Sequence, residues 1–353
     1  MTLDNWQQAP HLHWSFLYLE DLFPTARISR GDRPAYDFRP DPQRFEQLKV
    51  EHYDGTESTV ADVMASSETD GWIVARDGAV LAEHYLSDMA PDTRHLLMSV
   101  SKSLVGAVAA SLIGEGELDP ERLLSDYVPE LAETGWAGAT VRHVLDMRSG
   151  IRFSEEYLNP NAEVRLLEQA IDWAPRTVPG IPHNLYDFLL TLPRERSHGG
   201  AFDYRSGESD MLGWICEAAS GQRMPELMSE LLWSKLGAEL DAYIGVDSAG
   251  TGMFDGGICA ALRDLARFGS MLVREGTSLT GDQVLPAAWI EDCLTGDPDS
   301  RAAFGQSHND NMMPGGMYRN QFWLPYPEGV RILVCLGIHG QMIYANLETG
   351  VVA

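Results

Sequence analysis

The most apolar stretch of this 353-residue chain is SKSLVGAVAASLIGEGELD at 101–119, and its only basic residue is Lys102. Small and aliphatic side chains on all sides predict a helix that is buried all round, and the glycines near its end predict where it stops. A solvated cation has no place in such a helix. Ser99 lies three residues before the lysine. Because positions i and i+3 share one face of a helix, the hydroxyl and the amine are expected to meet.

Ser99 and Lys102 form an S-x-x-K arrangement, which is typical of a serine nucleophile and its base. Desolvation disfavours an ammonium, so burial is expected to lower the pKa of Lys102 and to leave a neutral amine. At the start of the helix, unpaired N–H groups favour a developing oxyanion beside Ser99. On these residues alone, a helix-capping serine beside a lysine whose ammonium reaches solvent stays open as the alternative.

Two later segments supply candidate partners. Tyr204, in FDYRSGESDMLG, follows Ser99 by about a hundred residues; its phenol would lose a proton more readily beside an ammonium and pass it to a leaving group. In LGIHGQ, glycines within a predicted strand indicate a close approach of the backbone to a ligand. If that strand borders the serine, the Ile338 and Ser99 N–H groups form a pair of oxyanion donors. A half-buried tyrosine and a strand corner are the structural alternatives.

Composition excludes several classes of partner. Asp and Glu total 52 against 26 Lys and Arg, which gives a net charge of −26. Such a surface repels phosphate backbones and anionic lipid headgroups, so neither nucleic acid nor a membrane is an expected partner, while a cationic ligand is tolerated. No apolar run approaches about 18 residues, and no secretory signal pattern is present. Four scattered cysteines predict reduced core thiols, without a disulfide or zinc framework, in a cytoplasmic enzyme.

Strand patterns lie at both ends of the chain and helical patterns between them. WIVARDGAVLAEHYL predicts a hairpin that turns at Asp77 and Gly78, and VRILVCLGI, GQMIYANL and VVA predict the final strands. Segments such as ERLLSDYVPEL predict helices from about 120 to 250. This order predicts an α+β fold in three parts. These are an N-terminal extension packed on the body (1–60), a discontinuous sheet domain with a short C-terminal end (61–115 and 255–353) and a helical domain (116–254).

The segments SVSKS, FDYRSG and GIHGQ, in this order and spacing, resemble the penicillin-binding and class C β-lactamase superfamily of serine hydrolases. TVRHVLDMRSGI, GGICAALRDLARFG and GQMIYANLETGVV resemble further segments of its members, so the resemblance covers about residues 70–353. Within the superfamily, the Trp-rich N-terminus, PTARISRG and RFSEEY are similar to 6-aminohexanoate-dimer hydrolases, which degrade nylon oligomers and short-chain carboxylic esters. The resemblance implies a β-lactamase/transpeptidase-like fold, with an antiparallel sheet flanked by helices and an inserted all-helical domain.

The resemblance also implies roles for individual residues. The catalytic set comprises the nucleophile, its base, the proton relay and the two oxyanion N–H groups: Ser99, Lys102, Tyr204, and the backbone of Ser99 and Ile338. The substrate-binding set comprises a tyrosine that closes over the substrate and donates to the amide nitrogen, a tryptophan lining the cleft, a histidine near the oxyanion donor, and two acids for a substrate ammonium: Tyr157, Trp173, His339, Glu168 and Asp255. On the sequence alone, the tyrosine and the tryptophan fit equally well as loop and core aromatics.

Three departures from the superfamily pattern bear on function. Ser206 stands where β-lactamases have an asparagine, and the Lys-Thr-Gly signature that grips a β-lactam carboxylate is absent. The serine hydroxyl can partly replace the asparagine as a hydrogen-bond partner. The loss of the lysine, on a chain of net charge −26, argues against β-lactams as the true substrates. Members of the superfamily continue past these last strands with a further strand and a helix. A chain that stops at Ala353 is therefore expected to leave apolar sheet surface uncovered, unless the N-terminal region covers it.

The sequence thus predicts a serine hydrolase that cleaves a small linear amide or short-chain ester through an acyl-enzyme, with no metal or organic cofactor. A homodimer stays open, and the physiological substrate is not read from the sequence. The alternatives are a carboxylesterase, a weak β-lactamase or D-aminopeptidase-type relative, and a catalytically silent binding homologue. An α/β-hydrolase is disfavoured because G-x-S-x-G is absent, and a metal hydrolase because H-E-x-x-H is absent.

Overall fold

The computed structural model describes residues 1–52 and 54–353. Its α-helices are α1 Leu12–Ser15, α2 Val60–Ser66, α3 Val100–Glu115, α4 Val141–Leu145, α5 Glu163–Ala170, α6 Leu185–Thr191, α7 Ser206–Ser220, α8 Met224–Leu227, α9 Leu262–Val273, α10 Ala287–Thr295 and α11 Ser300–Phe304. Within the described ranges, no helix has the length and apolar character needed to cross a bilayer.

The strands belong to three sheets. They are β1 Thr25–Ile28, β2 Arg39–Pro40, β3 Lys49–Glu51, β4 Glu57–Thr59, β5 Gly71–Arg76, β6 Ala79–Tyr85, β7 Arg94–Leu96, β8 Ala242–Gly245, β9 Ile258–Ala261, β10 Met317–Arg319, β11 Phe322–Leu324, β12 Ile332–Leu336, β13 Met342–Asn346 and β14 Val351–Val352. The large sheet has the order β10-β11-β12-β13-β14-β5-β6-β2, the second sheet β1-β8-β9-β7, and β3 pairs with β4.

The large sheet joins the two ends of the chain, as the strand patterns predict. The C-terminal strand β14 pairs antiparallel with β5, which places Val352 opposite Ala75. The β5–β6 hairpin turns at Asp77 and Gly78, whose φ values are 51° and 71°. Helix α9 packs on β5, β13 and β14. The sheet with a helix on its face confirms the predicted α+β class.

Helix α3 is the buried helix that the sequence predicts. It packs between α7 on one side and strands β11 and β12 on the other, and every residue from Val100 to Leu112 is buried. It ends at Gly116, whose left-handed φ of 77° is the usual glycine stop. Because α3 touches both the sheet and the helices, residues at its start lie where these two parts of the molecule meet.

Two features differ from the sequence-based expectations. The segment ERLLSDYVPEL forms two short 3₁₀ turns, Leu124–Asp126 and Pro129–Glu133, instead of an α-helix; Pro129 has no N–H to continue a helix from the preceding turn. Strand β8 lies in the range expected to be all-helical, but it pairs with β9 of the second sheet. The N-terminal segment supplies β1 to that same sheet, so it is an integral layer of the body.

A cavity of about 560 Å³ lies between the N-terminal segment and the face of the large sheet. Its lining includes Phe16 and Leu48 from the N-terminal side, and Ile73, Leu265 and Val352 from the sheet and α9. The N-terminal segment thus covers part of this face of the sheet.

We predict that Gly106→Ala destabilises the protein by about 1–3 kcal/mol, although alanine is the better helix former by about 1 kcal/mol. A Cβ at Gly106 would lie 2.8 Å from the backbone oxygen of Asn320 and 2.9 Å from Cβ of Gln321, so α3 would have to move away from the turn between β10 and β11. Urea denaturation measures the change.

Gly305→Ala is the matched control. Gly305 ends α11 with a φ of −62°, and the nearest atom to an added Cβ is at 3.4 Å, an ordinary contact. Its free energy of unfolding should change by less than about 0.5 kcal/mol. Equal effects of the two substitutions would show that α3 is not tightly packed at Gly106.

Candidate active site

Ser99 lies in a sharp turn between β7 and α3. The preceding residue, Met98, has a φ of 45°, a left-handed conformation that non-glycine residues seldom adopt. Ser99 is the residue just before the helix, is partly exposed, and its Oγ accepts a hydrogen bond of 2.8 Å from Nζ of Lys102. The contact expected from the i, i+3 spacing is therefore present. The turn leaves the hydroxyl accessible from outside, while the lysine below it is 1% exposed.

The amine of Lys102 is held by the segment before β9. Its Nζ donates to the backbone oxygen of Asp255 at 2.8 Å and lies 3.5 Å from Oδ2 of the same residue. It also lies 5.2 Å from the centre of the Tyr204 ring. The three groups that surround the nitrogen thus come from three separate segments of the chain.

The charge of Lys102 differs from the sequence-based prediction. Burial is the largest influence and favours the neutral amine, but Tyr204, Asp255, Glu155 and Asp210 together outweigh it and hold the pKa of Lys102 above that of a free lysine. The sequence-based expectation that burial lowers the pKa of Lys102 is therefore wrong. The prediction considered burial alone, because the three acids near the start of α3 (Asp255, Glu155 and Asp210) are distant in the sequence.

Tyr204 stands just before α7, with its ring in an aromatic cluster. It stacks on Trp323 at a centroid distance of 5.0 Å and meets Tyr318 edge-on at 5.9 Å. Burial raises the pKa of Tyr204, while the Lys102 ammonium and the Ser99 hydroxyl act in the opposite direction. The Tyr204 side chain thus lies beside the Lys102 amine.

The turn that presents Tyr204 is fixed by the residue after it. Arg205 is 1% exposed and forms ion pairs with Asp203 at 2.7 Å and with Glu208 at 3.3 Å. Burial raises the pKa of Glu208 to about 7, although Arg205 favours its ionised form. Arg205 therefore ties the segment that carries Tyr204 to the first turn of α7.

Glu155 connects the loop of Tyr157 to the start of α7. Its Oε2 accepts from the Tyr157 hydroxyl at 2.7 Å, and its Oε1 accepts from the Ser206 N–H. The Tyr157 backbone oxygen also accepts from Nε of Arg165 at 2.8 Å, and the guanidinium lies 5.3 Å from the centre of the Tyr157 ring. Tyr157 is thereby tethered beside the Tyr204 motif.

The predicted second oxyanion donor lies in a turn, and the expectation of a strand at this point is wrong. Strand β12 ends at Leu336, and Gly340 with a φ of 93° closes the turn before β13. A Cβ at Gly337 would lie 2.9 Å from the backbone oxygen of Leu97, so the turn runs directly beside the segment that leads to Ser99. Within residues 1–52 and 54–353, neither the Ser99 nor the Ile338 N–H donates a hydrogen bond, so both stay available to an oxyanion.

Two of the residues predicted to bind substrate, Trp173 and His339, pack against other aromatic side chains. Trp173 is 2% exposed, stacks on Phe23 at 4.9 Å and meets Trp6 edge-on at 5.5 Å, which is a core position without surface for a substrate. His339 packs edge-on against Phe16 at 5.2 Å, next to Ile338.

The two acids expected to hold a substrate ammonium already have protein partners. Both Glu168 oxygens accept from Nη1 of Arg165 at 2.8 Å, and Oε1 also accepts from Gln7 at 3.0 Å. Asp255 is the counter-ion of Lys102. Neither is therefore a free anion in the cleft, because buried carboxylates are stable only when paired.

Three residues of the site escaped the sequence reasoning. Glu155 had a signal, since it stands two residues before Tyr157 in the segment RFSEEY. Trp323 and Asp210 had none that one sequence could show, because they reach the site only through the packing of β11 and α7. Within the described residues, no group of three or more His, Cys, Asp or Glu side chains is arranged to hold a metal ion.

Comparison with known proteins agrees with this geometry. A family model described as Beta-lactamase matches residues 56–353. The chain belongs to the beta-lactamase family. A beta-lactamase-family member with a partly exposed serine hydrogen-bonded to a buried lysine is a serine hydrolase, which confirms the predicted fold and enzyme class.

Three individual proteins are similar to this chain over most of its length. The chain is 40% identical over 351 residues to the 6-aminohexanoate-dimer hydrolase of Paenarthrobacter ureafaciens, covering 99% of this chain and 86% of that protein. A Bacillus anthracis protein provisionally named a 6-aminohexanoate-dimer hydrolase aligns with a TM-score of 0.90 at 26% identity, over 99% of this chain and 89% of that one. EstCE1, a hydrolase with promiscuous acyltransferase activity, shares the fold with a TM-score of 0.63 at 16% identity, over 83% and 89% of the two chains.

We predict that Arg165→Met lowers the free energy of unfolding by about 1–3 kcal/mol, because it leaves the buried Glu168 carboxylate without its cation. Adding Glu168→Gln to the same chain should restore most of the loss. Urea denaturation of the single and double variants measures both changes.

Arg152→Met provides the control, since Arg152 pairs with Glu163 at 3.0 Å but its side chain is 58% exposed. The change expected there is below about 1 kcal/mol. If the double variant were no more stable than Arg165→Met, the carboxylate of Glu168 would not depend on the arginine.

Proposed function

We propose that this beta-lactamase-family protein hydrolyses linear amides and short-chain carboxylic esters through an acyl-enzyme on Ser99. The observation that carries the proposal is the 2.8 Å hydrogen bond between the partly exposed Ser99 and the buried Lys102. The identity of 40% to a 6-aminohexanoate-dimer hydrolase supports a small linear amide as the substrate class. We also infer a cytoplasmic location, which the four buried free cysteines support.

The Lys102–Tyr204 pair is the proton acceptor in this proposal. In its active form the pair has lost one proton, so that either the amine or the phenol oxygen can accept another. As Oγ of Ser99 bonds to the substrate carbonyl carbon, its proton moves to the pair. The pair then gives the proton to the leaving nitrogen or oxygen as the C–N or C–O bond breaks. Water repeats the sequence on the acyl-enzyme and releases the acid.

The reaction also needs donors that stabilise the oxyanion formed on the substrate carbonyl. The N–H groups of Ser99 and Ile338 are the proposed donors, which the close approach of Gly337 to Leu97 supports. Two backbone donors fixed before the reaction stabilise the charge that develops on the carbonyl oxygen without reorganising. Ile338 is 44% exposed, so this turn lies at the surface of the protein.

Tyr157 distinguishes amides from esters in this scheme. An amine is a poor leaving group and needs a proton as the C–N bond breaks, whereas an alkoxide needs less help. The Tyr157 hydroxyl donates to Glu155 in the resting structure. That bond holds it close to the Tyr204 motif, from where it can donate to the leaving nitrogen.

Ser99→Ala should lower the turnover of both p-nitrophenyl esters and the 6-aminohexanoate dimer by at least about 10⁴-fold, because no acyl-enzyme can form. The circular dichroism spectrum should stay that of the wild type. Ser111→Ala, on the same helix, is the control: its hydroxyl bonds Val284 and Ala107, away from the site, and turnover should persist. Substantial turnover by Ser99→Ala would exclude Ser99 as the nucleophile.

Tyr157→Phe should reduce kcat for the 6-aminohexanoate dimer by about 10²-fold while changing ester hydrolysis only a few-fold. Parallel steady-state assays on the two substrates measure the ratio. Tyr326→Phe removes a hydroxyl from an exposed tyrosine and should leave both rates as they are. Equal losses on amide and ester would remove Tyr157 from the protonation of the leaving group.

A further inference from the structure

A second buried acid lies against Asp255 and has no role in the steps above. Asp210, on α7, is 0% exposed, and Asp255 is 4% exposed. The Oδ1 of Asp210 accepts from the Asp255 N–H at 3.0 Å. The two segments are tightly packed here, since a Cβ at Gly213 would lie 2.1 Å from the Phe254 ring. The backbone of α7 therefore lies close against the segment that carries Asp255.

The remaining oxygens of these two carboxyl groups are unpartnered. Within residues 1–52 and 54–353, neither Oδ2 of Asp210 nor Oδ1 of Asp255 has a hydrogen-bond donor, although both atoms are fully buried. A buried carboxylate oxygen without a donor is costly. A proton on one of the two groups removes a buried charge and so lowers this cost.

The charges in the site favour such a proton. Two carboxyl groups side by side resist ionising together. Burial first, and then the neighbouring Asp255, raise the pKa of Asp210, while Lys102 acts against them. Lys102 is already in contact with Asp255, whose backbone and side-chain oxygens lie at 2.8 and 3.5 Å from its nitrogen. The proton therefore belongs on the acid that is farther from the lysine.

We propose that Asp210 is a positioning residue that retains one proton and shares it with Asp255, so that the pair presents a single negative charge to Lys102. This inference rests on the proposed function only in its consequence for the rate. Asp210 also anchors the backbone of Asp255, whose carbonyl oxygen receives the hydrogen bond from Lys102. It thereby sets both the place and the charge of the group that holds the lysine.

The proton count matters because Lys102 and Tyr204 must lose a proton together before they can accept one from Ser99. The titratable groups that act on Lys102 are Tyr204, Asp255, Glu155 and Asp210. Each full negative charge among them holds the lysine proton more tightly and moves the acid limb of kcat/KM to higher pH. A proton on Asp210 removes one of these charges. The acid limb of kcat/KM therefore lies at a lower pH than it would with both aspartates ionised.

Infrared spectroscopy of the resting enzyme tests the proton directly, without substrate. A protonated carboxyl group has a carbonyl band separate from that of a carboxylate. We expect the wild-type minus Asp210→Asn difference spectrum at neutral pH to show the loss of one protonated-acid band. Asp264→Asn is the matched control: Asp264 is also 0% exposed but is paired with Arg267 at 2.6 Å, so it should lose a carboxylate band. Loss of a carboxylate band in Asp210→Asn would overturn the proposal.

The pH profile of kcat/KM on a p-nitrophenyl ester tests the consequence. Asparagine mimics the neutral, hydrogen-bonded form, so the acid limb of Asp210→Asn should keep the wild-type midpoint. In Asp255→Asn the single negative charge moves to Asp210, which forms no ion pair with Lys102 among the described residues, so the acid limb should move to lower pH. Equal downward shifts in both variants would show that both aspartates are ionised and would overturn the proposal.

A second variant covers the case in which Asp210→Asn does not fold. In Asp255→Asn the neighbouring charge is gone and Lys102 stays, so Asp210 should ionise and the protonated-acid band should disappear. Persistence of that band would contradict the shared proton. If the protein shows no turnover at all, the proposed function fails, but the infrared result still decides the protonation of Asp210.

Discussion

The structure depends on a cation placed inside its most apolar helix. An isolated ammonium in such a position is strongly unfavourable, so it must have paired anions and hydrogen-bond acceptors close by. Lys102 has them: the Ser99 hydroxyl on its own helix, and the backbone oxygen and carboxylate of Asp255. The helix, the aromatic segment before α7 and the segment before β9 must therefore pack together before the lysine is stable.

This arrangement ties the chemistry of the site to the folding of the whole molecule. Glu155, Tyr204 and Asp255 come from three loops attached to different elements, and each influences the same lysine. The carboxylates among them favour the protonated lysine, so burial alone does not set the pKa of Lys102.

The sequence predicted the elements that follow from local patterns and missed those set by packing. The i, i+3 spacing of Ser99 and Lys102 was enough to predict their contact, and the β5–β6 hairpin followed from Asp77 and Gly78. The charge of Lys102 could not be predicted, because it depends on acids 53 to 153 residues away along the chain that only the tertiary fold brings near. The pairing of Glu168 with Arg165 was also not predicted. Acids are abundant in this chain, and an arginine one helical turn earlier is not by itself evidence of an ion pair. The assignments of Tyr157 and Ile338 to substrate and oxyanion stay predictions.

The most direct test of the central claim is the rate at which a fluorophosphonate probe modifies Ser99, followed by intact-protein and peptide mass spectrometry. The account predicts a single adduct on Ser99 in the wild type. In Lys102→Met, modification should be at least about 10²-fold slower, whereas Lys235→Met should react at the wild-type rate. An adduct on another serine, or undiminished labelling of Lys102→Met, would contradict the claim that the buried lysine activates this hydroxyl.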